Sequence, residues 1–408
     1  MTPSFLTRRT YRLLVLDGHS YAARAFVRSL GRNGCWVAVG STEGVLSPAS
    51  VSRYCSHAWQ YPSPLKGVAR FIESLHRFVD QQSVDMILPM TDATTWPLAH
   101  HREQLENRTR LALPTLEWLE LTADKHRTAR LAIQLGIPIP ETVLARSTDD
   151  LAACAEWNFP VVVKDRYSMR WIGDTGLHGS VSYAFSPDEL RDKVLDRVDQ
   201  AGDVLLQRFI PGTGIGFSCL AADGRLYLPF QWERIREKDP RGSGSSARKS
   251  VPLSDALVRY ASKLLQATSW GGISMLEFKR SCEGEFVLME INGRPWGSMQ
   301  LAIASGIDYP VHWVEWLLEH HRPAMSSGYK VGITCRTLVG DLVHLENLRV
   351  GRPDGWPVPY PNFYLSLLKV ALPWYPGLRY EDLWFTDPHP GLLEFQDWLR
   401  MHLKGSGA

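Results

Sequence analysis

The stretch Trp270–Gln300, WGGISMLEFKRSCEGEFVLMEINGRPWGSMQ, decides how the rest of this chain is read. Two apolar runs broken at regular steps, Met275–Lys279 and Phe286–Ile291, flank the turn signal Glu283-Gly284, which predicts a β-hairpin followed by a loop and a helix. With Glu283-Gly284 as a two-residue turn, Cys282 faces Glu285, Lys279 faces Leu288, Glu277 faces Glu290 and Met275 faces Asn292. Side chains along a strand alternate between faces, so Glu277, Glu290 and Asn292 share one. Two carboxylates directly opposed in a sheet repel, and a positive group is expected between them. Two carboxylates and an amide oxygen form a hard, all-oxygen set suited to Mg²⁺, which proteins usually hold together with substrate phosphates. The alternative is a surface pair neutralised by Lys279 or by a distant arginine.

Around this hairpin lies a chain of 408 residues, long enough for two or three packed domains. Its hydrophobic share of 44% and charged share of 22% are those of an ordinary globular protein. A formal net charge of +2 gives no case for a nucleic-acid partner, which calls for a strongly basic face. Cys35, Cys55, Cys154, Cys219, Cys282 and Cys335 lack CxxC spacing and read as reduced thiols in a cytoplasmic protein without structural zinc. Arg8, Arg9 and Arg12 precede an apolar run, Leu13–Leu16, too short for a signal peptide or a membrane span, and no other run approaches one. The tryptophans are spread out and read as packing residues.

Upstream, residues 11 to about 120 predict a small α/β domain. Tyr11–Asp17 is a buried strand, Gly18-His19-Ser20 a turn with a helix cap, and Tyr21–Leu30 a helix closed by Gly31. Then come a strand at Trp36–Gly40, a helix at Phe71–Gln81 and a strand at Val84–Pro89. The alternation implies a parallel sheet with ligands at the carboxyl ends of its strands. The turn at Asp17 lacks GxGxxG, which disfavours a dinucleotide. Thr91-Asp92 reads as the cap of the next helix, with contact to a polar substrate as the alternative.

Beyond Thr115 the pattern changes. Asp124-Lys125-His126 opens an amphipathic helix to Leu135 ended by Gly136, Leu151–Trp157 is helical, and Phe159–Lys164 is a buried strand with a lysine at its end. Such a lysine needs an anionic partner, for which phosphate is a natural choice, unless it simply emerges into solvent. A loop from Arg166 to Gly179 carries three spaced glycines and ends in His178-Gly179-Ser180; loops of this kind let backbone N–H groups wrap oxyanions. Strands at Val204–Ile210, Phe217–Ala222 and Leu226–Arg236 precede the polar stretch Glu237–Lys249, which suits either an ordered anion-binding loop or a flexible surface loop. Leu257–Thr268 is a helix leading into the hairpin.

Four pieces, in this order, carry a resemblance: Asp124-Lys125 before a helix; Phe159-Pro160-Val161-Val162-Val163-Lys164; Leu206-Gln207-Arg208-Phe209-Ile210-Pro211-Gly212; and Leu276-Glu277-Phe278 followed by Met289-Glu290-Ile291-Asn292-Gly293-Arg294. Over roughly residues 10 to 320 the chain resembles the ATP-grasp superfamily, and within it the carboxylate–amine ligases. The resemblance implies an α/β fold, α+β in its central part. Residues 1–120 would form a Rossmann-like pre-ATP-grasp domain, and two α+β subdomains, 121–203 and 204–325, would clasp ATP. A C-terminal extension, 326–408, would complete the chain. By position, the resemblance implies that Lys125 and Lys164 contact the nucleotide phosphates, and that Gln207, Arg208, Phe209 and Ile210 form the segment that hydrogen-bonds adenine. It also implies that Glu277, Glu290 and Asn292 hold Mg²⁺ (with Mn²⁺ as a substitute), and that Arg294 neutralises the transferring phosphoryl group. Residues 166–180, with His178, Gly179 and Ser180, resemble the flap over the triphosphate. One departure stands out. Many relatives place a glutamate shortly after the adenine segment to hold the ribose, whereas here the stretch is Pro211-Gly212-Thr213-Gly214-Ile215-Gly216.

The implied activity is ATP-dependent joining of a small-molecule carboxylic acid to an amine through an acyl phosphate. Arg236, Arg241 and the loop 242–246 are candidates for gripping the substrate carboxylate. A phosphotransferase using the same nucleotide site, and a nucleotide-binding module without turnover, are the alternatives; the intact set of carboxylates, Asn292, Arg294 and lysines argues against the module. Residues 351–378 are rich in Pro, Gly and aromatics, and Glu381–Leu403 contains a helix. This extension reads as plain packing, with a lid or a homodimerisation segment as the alternative, and Lys404–Ala408 as a disordered tail.

Overall fold

The strand Arg12–Val15 is apolar on both faces because both are covered. It is the centre of a five-stranded parallel sheet ordered His57–Tyr61, Trp36–Thr42, Arg12–Val15, Met86–Leu88, Arg110–Leu111. Helix Tyr21–Arg32 packs on the face carrying Leu13, Val15, Val37 and Val39, and helix Val68–Gln82 on the face carrying Leu14, Leu16 and Ala38. This computed structural model describes residues 10–242, 244–325 and 328–405, which leaves Arg8, Arg9, Ser243 and the tail residues 406–408 outside the described residues. Two local expectations fail here. Gly31 does not end its helix: it lies inside Tyr21–Arg32, where a Cβ would sit 2.7 Å from the Tyr54 side chain, so the glycine serves close packing. The edge strand His57–Tyr61, largely exposed and without a clear apolar pattern, gave no signal.

Next along the chain is a four-stranded antiparallel sheet ordered Val181–Ala184, Val161–Lys164, Val204–Arg208, Thr142–Ala145, with helix Pro187–Ala201 against it. The glycine-bearing stretch after Lys164 is not a plain loop. Met169–Ile172 and Thr175–His178 pair as a two-stranded hairpin whose turn uses Gly173 at φ +57°. The helix expected at Leu151–Trp157 is a 3-10 helix, Thr148–Cys154.

The third sheet has seven strands: Phe286–Asn292, Gly272–Arg280, Thr213–Ala222, Arg225–Glu237, Ser245–Ser250, Thr334–Arg336 and Leu378–Tyr380. All neighbours are antiparallel except the last pair. Ser245–Ser250 therefore corrects the loop expected over 237–249. It is an interior strand, in which Arg248 meets Glu381 at 2.5 Å and the Ser250 hydroxyl donates to Lys330 O at 2.8 Å. The C-terminal extension is part of this layer, and Trp356 is buried against Phe209 and Tyr183. Plain packing does not describe helix Phe363–Ala371, where Ser366 is buried while Tyr364 and Leu368 are 73% and 69% exposed. Helix His389–Gly405 takes in the first two residues of the expected tail. Among the described residues no helix is long and apolar enough to cross a membrane.

Candidate active site

The hairpin of Gly272–Arg280 with Phe286–Asn292 places Met275 opposite Asn292 and Glu277 opposite Glu290, the pairing expected from the alternation of its side chains. It reaches that register by two offsets that cancel. The turn is three residues, Cys282–Gly284: Ser281 N donates to Glu285 O at 2.8 Å, Gly284 N donates to Ser281 O at 3.0 Å, and Gly284 sits at φ +89°. A third loop residue shifts the pairing by one, so Lys279 faces Val287 rather than Leu288, and Cys282 does not face Glu285. A bulge at Met289 then restores the register before Glu290.

The cation expected beside the carboxylates is Arg234. It lies on the strand Arg225–Glu237, two strands from Glu277, yet its guanidinium donates to Glu277 Oε2 at 2.5 Å and to Glu237 Oε1 at 3.0 Å. The strand between them, Thr213–Ala222, carries Gly214 and Gly216 in the way. A Cβ at Gly214 would lie 2.6 Å from Arg234, and one at Gly216 would lie 2.1 Å from Trp232. These glycines belong to the stretch that lacks a glutamate for the ribose; Gly214 leaves room for Arg234 to cross, and Gly216 leaves room for the neighbouring Trp232 ring. Lys279 is not the neutraliser: its Nζ donates to Ile210 O at 2.9 Å and lies over the Phe209 ring. Burial, together with Glu290, pushes the Glu277 carboxyl up, against the pull of Arg234. Asn292 Nδ2 donates to Glu290 Oε1 at 3.0 Å, leaving its amide oxygen as an acceptor beside the pair.

Arg294 stands just past the hairpin and donates to Asp92 Oδ2 at 3.1 Å. Burial opposes its charge, but Asp92, Glu290 and Glu277 hold it firmly protonated. Thr91 occupies the cap position of helix Asp92–His100, but its side chain makes no cap hydrogen bond. The turn that leads into the helix is held by Asp17, whose carboxylate accepts from Met90 N, Thr91 N and the Thr94 hydroxyl at 3.0, 2.8 and 2.6 Å. Asp92, the first residue of the helix, turns its carboxylate to Arg294.

Lys164 ends its strand only 6% exposed. Burial pushes its ammonium down to about 8, opposed by Glu290 and aided by Lys125. Lys125 is lowered as well, by burial, with Glu290 the first of the anions restraining the fall. The two lysines therefore share the field of one metal-candidate carboxylate. Lys125 is fixed at the head of its helix, where Asp124 accepts from His126 N and Arg127 N, and its Nζ donates to Ser168 Oγ at 3.0 Å. In the segment 207–210, Gln207 is buried, its Nε2 donates to Thr142 Oγ1 at 2.8 Å, and its Oε1 is buried without a partner. Arg208 is turned out to Glu141 at 2.7 Å.

The hairpin 169–178 continues into Gly179, whose N–H donates to Ser168 O at 3.0 Å, and Ser180, whose N–H donates to Asp165 Oδ2 at 2.6 Å; His178 is exposed at the end of its strand. Arg236 is ion-paired with buried Asp341, and Arg241 lies bidentate on Asp239 at the surface. Neither makes a contact with the group around Glu277. Sequence reasoning missed Arg234 and assigned Asp92 to the helix cap. The only trace of Arg234 was an arginine on a strand near two unexplained glycines.

Residues 200–335 match the sequence family described as ATP-grasp in the biosynthetic pathway with Ter operon. Over about three quarters of its length or more, the chain is similar in fold to several solved structures. One is an L-amino acid ligase from Bacillus licheniformis, with a TM-score of 0.58 and 16% identity over 76% of this chain and 75% of that one. A second is a biotin carboxylase from Campylobacter jejuni in complex with β-γ-ATP, with a TM-score of 0.63 and 13% identity over 80% and 74%. A third is an N5-carboxyaminoimidazole ribonucleotide synthetase from Thermotoga maritima, with a TM-score of 0.55 and 17% identity over 80% and 79%.

Proposed function

From the match of residues 200–335 to an ATP-grasp family and the fold shared over about three quarters of its length, we propose that this chain is a ligase that uses ATP to phosphorylate a small-molecule carboxylate and couples the product to an amine. The observation that carries the reading is the gathering of Glu277, Glu290 and Asn292 on one face of a hairpin, with Arg234, Arg294, Lys125 and Lys164 in their field. The donor set fits Mg²⁺: Glu277, Glu290 and Asn292 would hold it with two carboxylates and an amide oxygen, hard ligands of the kind that bind this ion beside substrate phosphates. When bound, the metal screens the charge of the terminal phosphates.

The remaining work belongs to the protein's cations. Lys125 and Lys164 hold the triphosphate, and Arg294, kept charged by Asp92, faces the charge that develops as the phosphoryl group moves. A carboxylate oxygen of the acid attacks the γ-phosphorus, the bond to the bridging oxygen breaks, and ADP leaves with that electron pair. The amine then attacks the acyl carbon, loses a proton and expels phosphate, which forms an amide. The hairpin 169–178 covers the site and keeps water from the acyl phosphate. Fold-level likeness to an L-amino acid ligase supports amino acids as the first substrates to try.

Incubation of the protein with ATP, Mg²⁺ and pairs of amino acids should release ADP and phosphate only when acid and amine are both present. A stable phosphorylated acid formed in stoichiometry with ADP, with no amide, would instead identify a phosphotransferase. Glu290→Ala should lower ADP formation on the order of 10²-fold or more, with an unchanged circular dichroism spectrum; turnover at the wild-type rate would remove the metal assignment.

A further inference from the structure

Between helix Asp92–His100 and the hairpin 169–178 lies a cleft of about 470 Å³, within the usual range for small-molecule sites. One wall is Trp96, Pro97 and His100; the other is Tyr167, Met169 and Trp171. The polar groups close to it are already turned elsewhere or shaped as aromatic surface. Arg170 donates to Gln200 O at 2.8 Å, and the His100 ring is stacked on Trp96 at 4.8 Å. The lining is therefore flat, aromatic and largely apolar.

Each wall is joined along the chain to a residue that touches the cation cluster: Asp92 on one side and Ser168 on the other. Positions 92, 96 and 100 share one side of their helix, so the face that presents Trp96 to the cleft also presents Asp92 to Arg294, one turn of about 5.4 Å away. On the opposite wall, Tyr167 and Met169 flank Ser168, whose hydroxyl holds Lys125. Adjacent residues of an extended chain point to opposite sides, so Ser168 serves the phosphate lysine while its neighbours line the cleft. The far end is closed by the hairpin tip. Asp174 Oδ1 accepts from Val68 N at 2.9 Å, at the head of helix Val68–Gln82, whose own cap residue Gly67 offers no side chain. Trp171 Nε1 is buried in this region without a partner, a donor available to an acceptor on a ligand.

We propose that this cleft is the specificity pocket for the acid substrate and that it takes an aromatic or comparably bulky apolar side chain, the carboxylate lying toward Arg294. The inference rests on the ligase reading for the identity of the ligand as a substrate, but binding can be measured without turnover. Calorimetric titration of the full chain, saturated with Mg²⁺ and ADP, would use phenylacetate and L-phenylalanine against acetate and L-alanine. The aromatic acids should bind at least tenfold more tightly. Trp96→Ala should remove that preference while leaving ADP affinity unchanged, and Trp96→Phe should retain most of it. Equal affinity for small and aromatic acids, or an undiminished preference in Trp96→Ala with normal ADP binding, overturns the proposal. Should Trp96→Ala fail to fold, Met169→Ala makes the same test from the opposite wall. Aromatic binding that depends on Trp96, without amide formation from any amine, would keep the pocket and remove the ligase reading. Amide formation from small acids with no aromatic preference would do the reverse.

Discussion

Lys164 ends an apolar strand, and its burial beside Glu290 and Lys125 gives it a measurable signature. Its ammonium is pushed down to about 8 in the free protein. If Lys164 holds the triphosphate as proposed, the cation present below that pH attracts it, and above that pH the group is neutral and the attraction is lost. The expected outcome is that kcat/KM for ATP, which reports ionisations of the free enzyme, falls as pH rises through about 8. Lys164→Arg keeps its charge throughout and should show no such fall up to pH ~9. A wild-type profile that stays level between pH ~7 and ~9 would detach Lys164 from nucleotide binding. Lys164 was legible in the sequence as the lysine ending an apolar strand; Arg234 was not. Nothing within a few residues of it marks it as a partner of Glu277, because the contact depends on Gly214 being bare on the strand between them, with Gly216 likewise bare beneath Trp232. A pair of glycines in a strand announces that something passes close by, but only the sheet order names what passes.

At the scale of elements, the hairpin that organises the site was readable to the level of its central pairs and wrong at its turn. Alternation of side chains fixes which face Glu277 and Glu290 occupy, and burial of the opposite face enforces that choice. The turn length and the bulge at Met289 are set by backbone conformations, an αL glycine and one extra residue, that leave the alternation near Glu277 unchanged. The hairpin 169–178 was hidden for a related reason: with exposed residues on much of its surface, it has no apolar period to betray it. Its position depends on Asp174 capping the helix Val68–Gln82 of the five-stranded layer from across the cleft. A helix cap is worth about 0.5–2 kcal/mol, so Asp174→Ala should reduce the docked population by a few-fold to about thirtyfold. The consequence would be leakage of the acyl phosphate to water. The ratio of amide to phosphate released should fall below one in Asp174→Ala and stay near one in Asp174→Asn, which keeps an acceptor oxygen. An amide-to-phosphate ratio that is the same in Asp174→Ala and wild type would show that the tip contact does not guard the intermediate.

For the molecule as a whole, the strand–helix order up to the hairpin was largely readable from local pattern, whereas the C-terminal segment beyond it was not. The reason is separation along the chain. Arg28, 1% exposed on the first helix, donates Nε to Asp387 Oδ2 at 2.8 Å across 359 positions, and its other nitrogens reach the carbonyls of Glu381, Asp382 and Asp387. Asp387 also accepts from the Ser52 hydroxyl and from Arg53 N, each at 2.8 Å. Nearby, Tyr21 and Arg24 donate to Glu394, and Arg248 to Glu381. The C-terminal segment thus binds the first helix and the seven-stranded sheet with charges buried in pairs, a layer that no local periodicity encodes. Removing one member of a buried pair leaves the other uncompensated, at a cost of about 3–5 kcal/mol. Asp387→Ala should therefore lower the unfolding free energy by that amount in a urea titration, while Asp387→Asn, whose single amide oxygen can still accept from Arg28 and Ser52 though not also from Arg53 N, should lose less. The Asp92–Arg294 contact joins the same N-terminal domain to the hairpin. If the C-terminal segment holds the N-terminal domain in register with the hairpin, Asp387→Ala should also raise the KM for the acid at temperatures where the chain is still folded. Loss of stability with an unaltered KM would confine the buried pairs to holding the fold, and an unchanged urea midpoint would show that Arg28 finds compensation elsewhere.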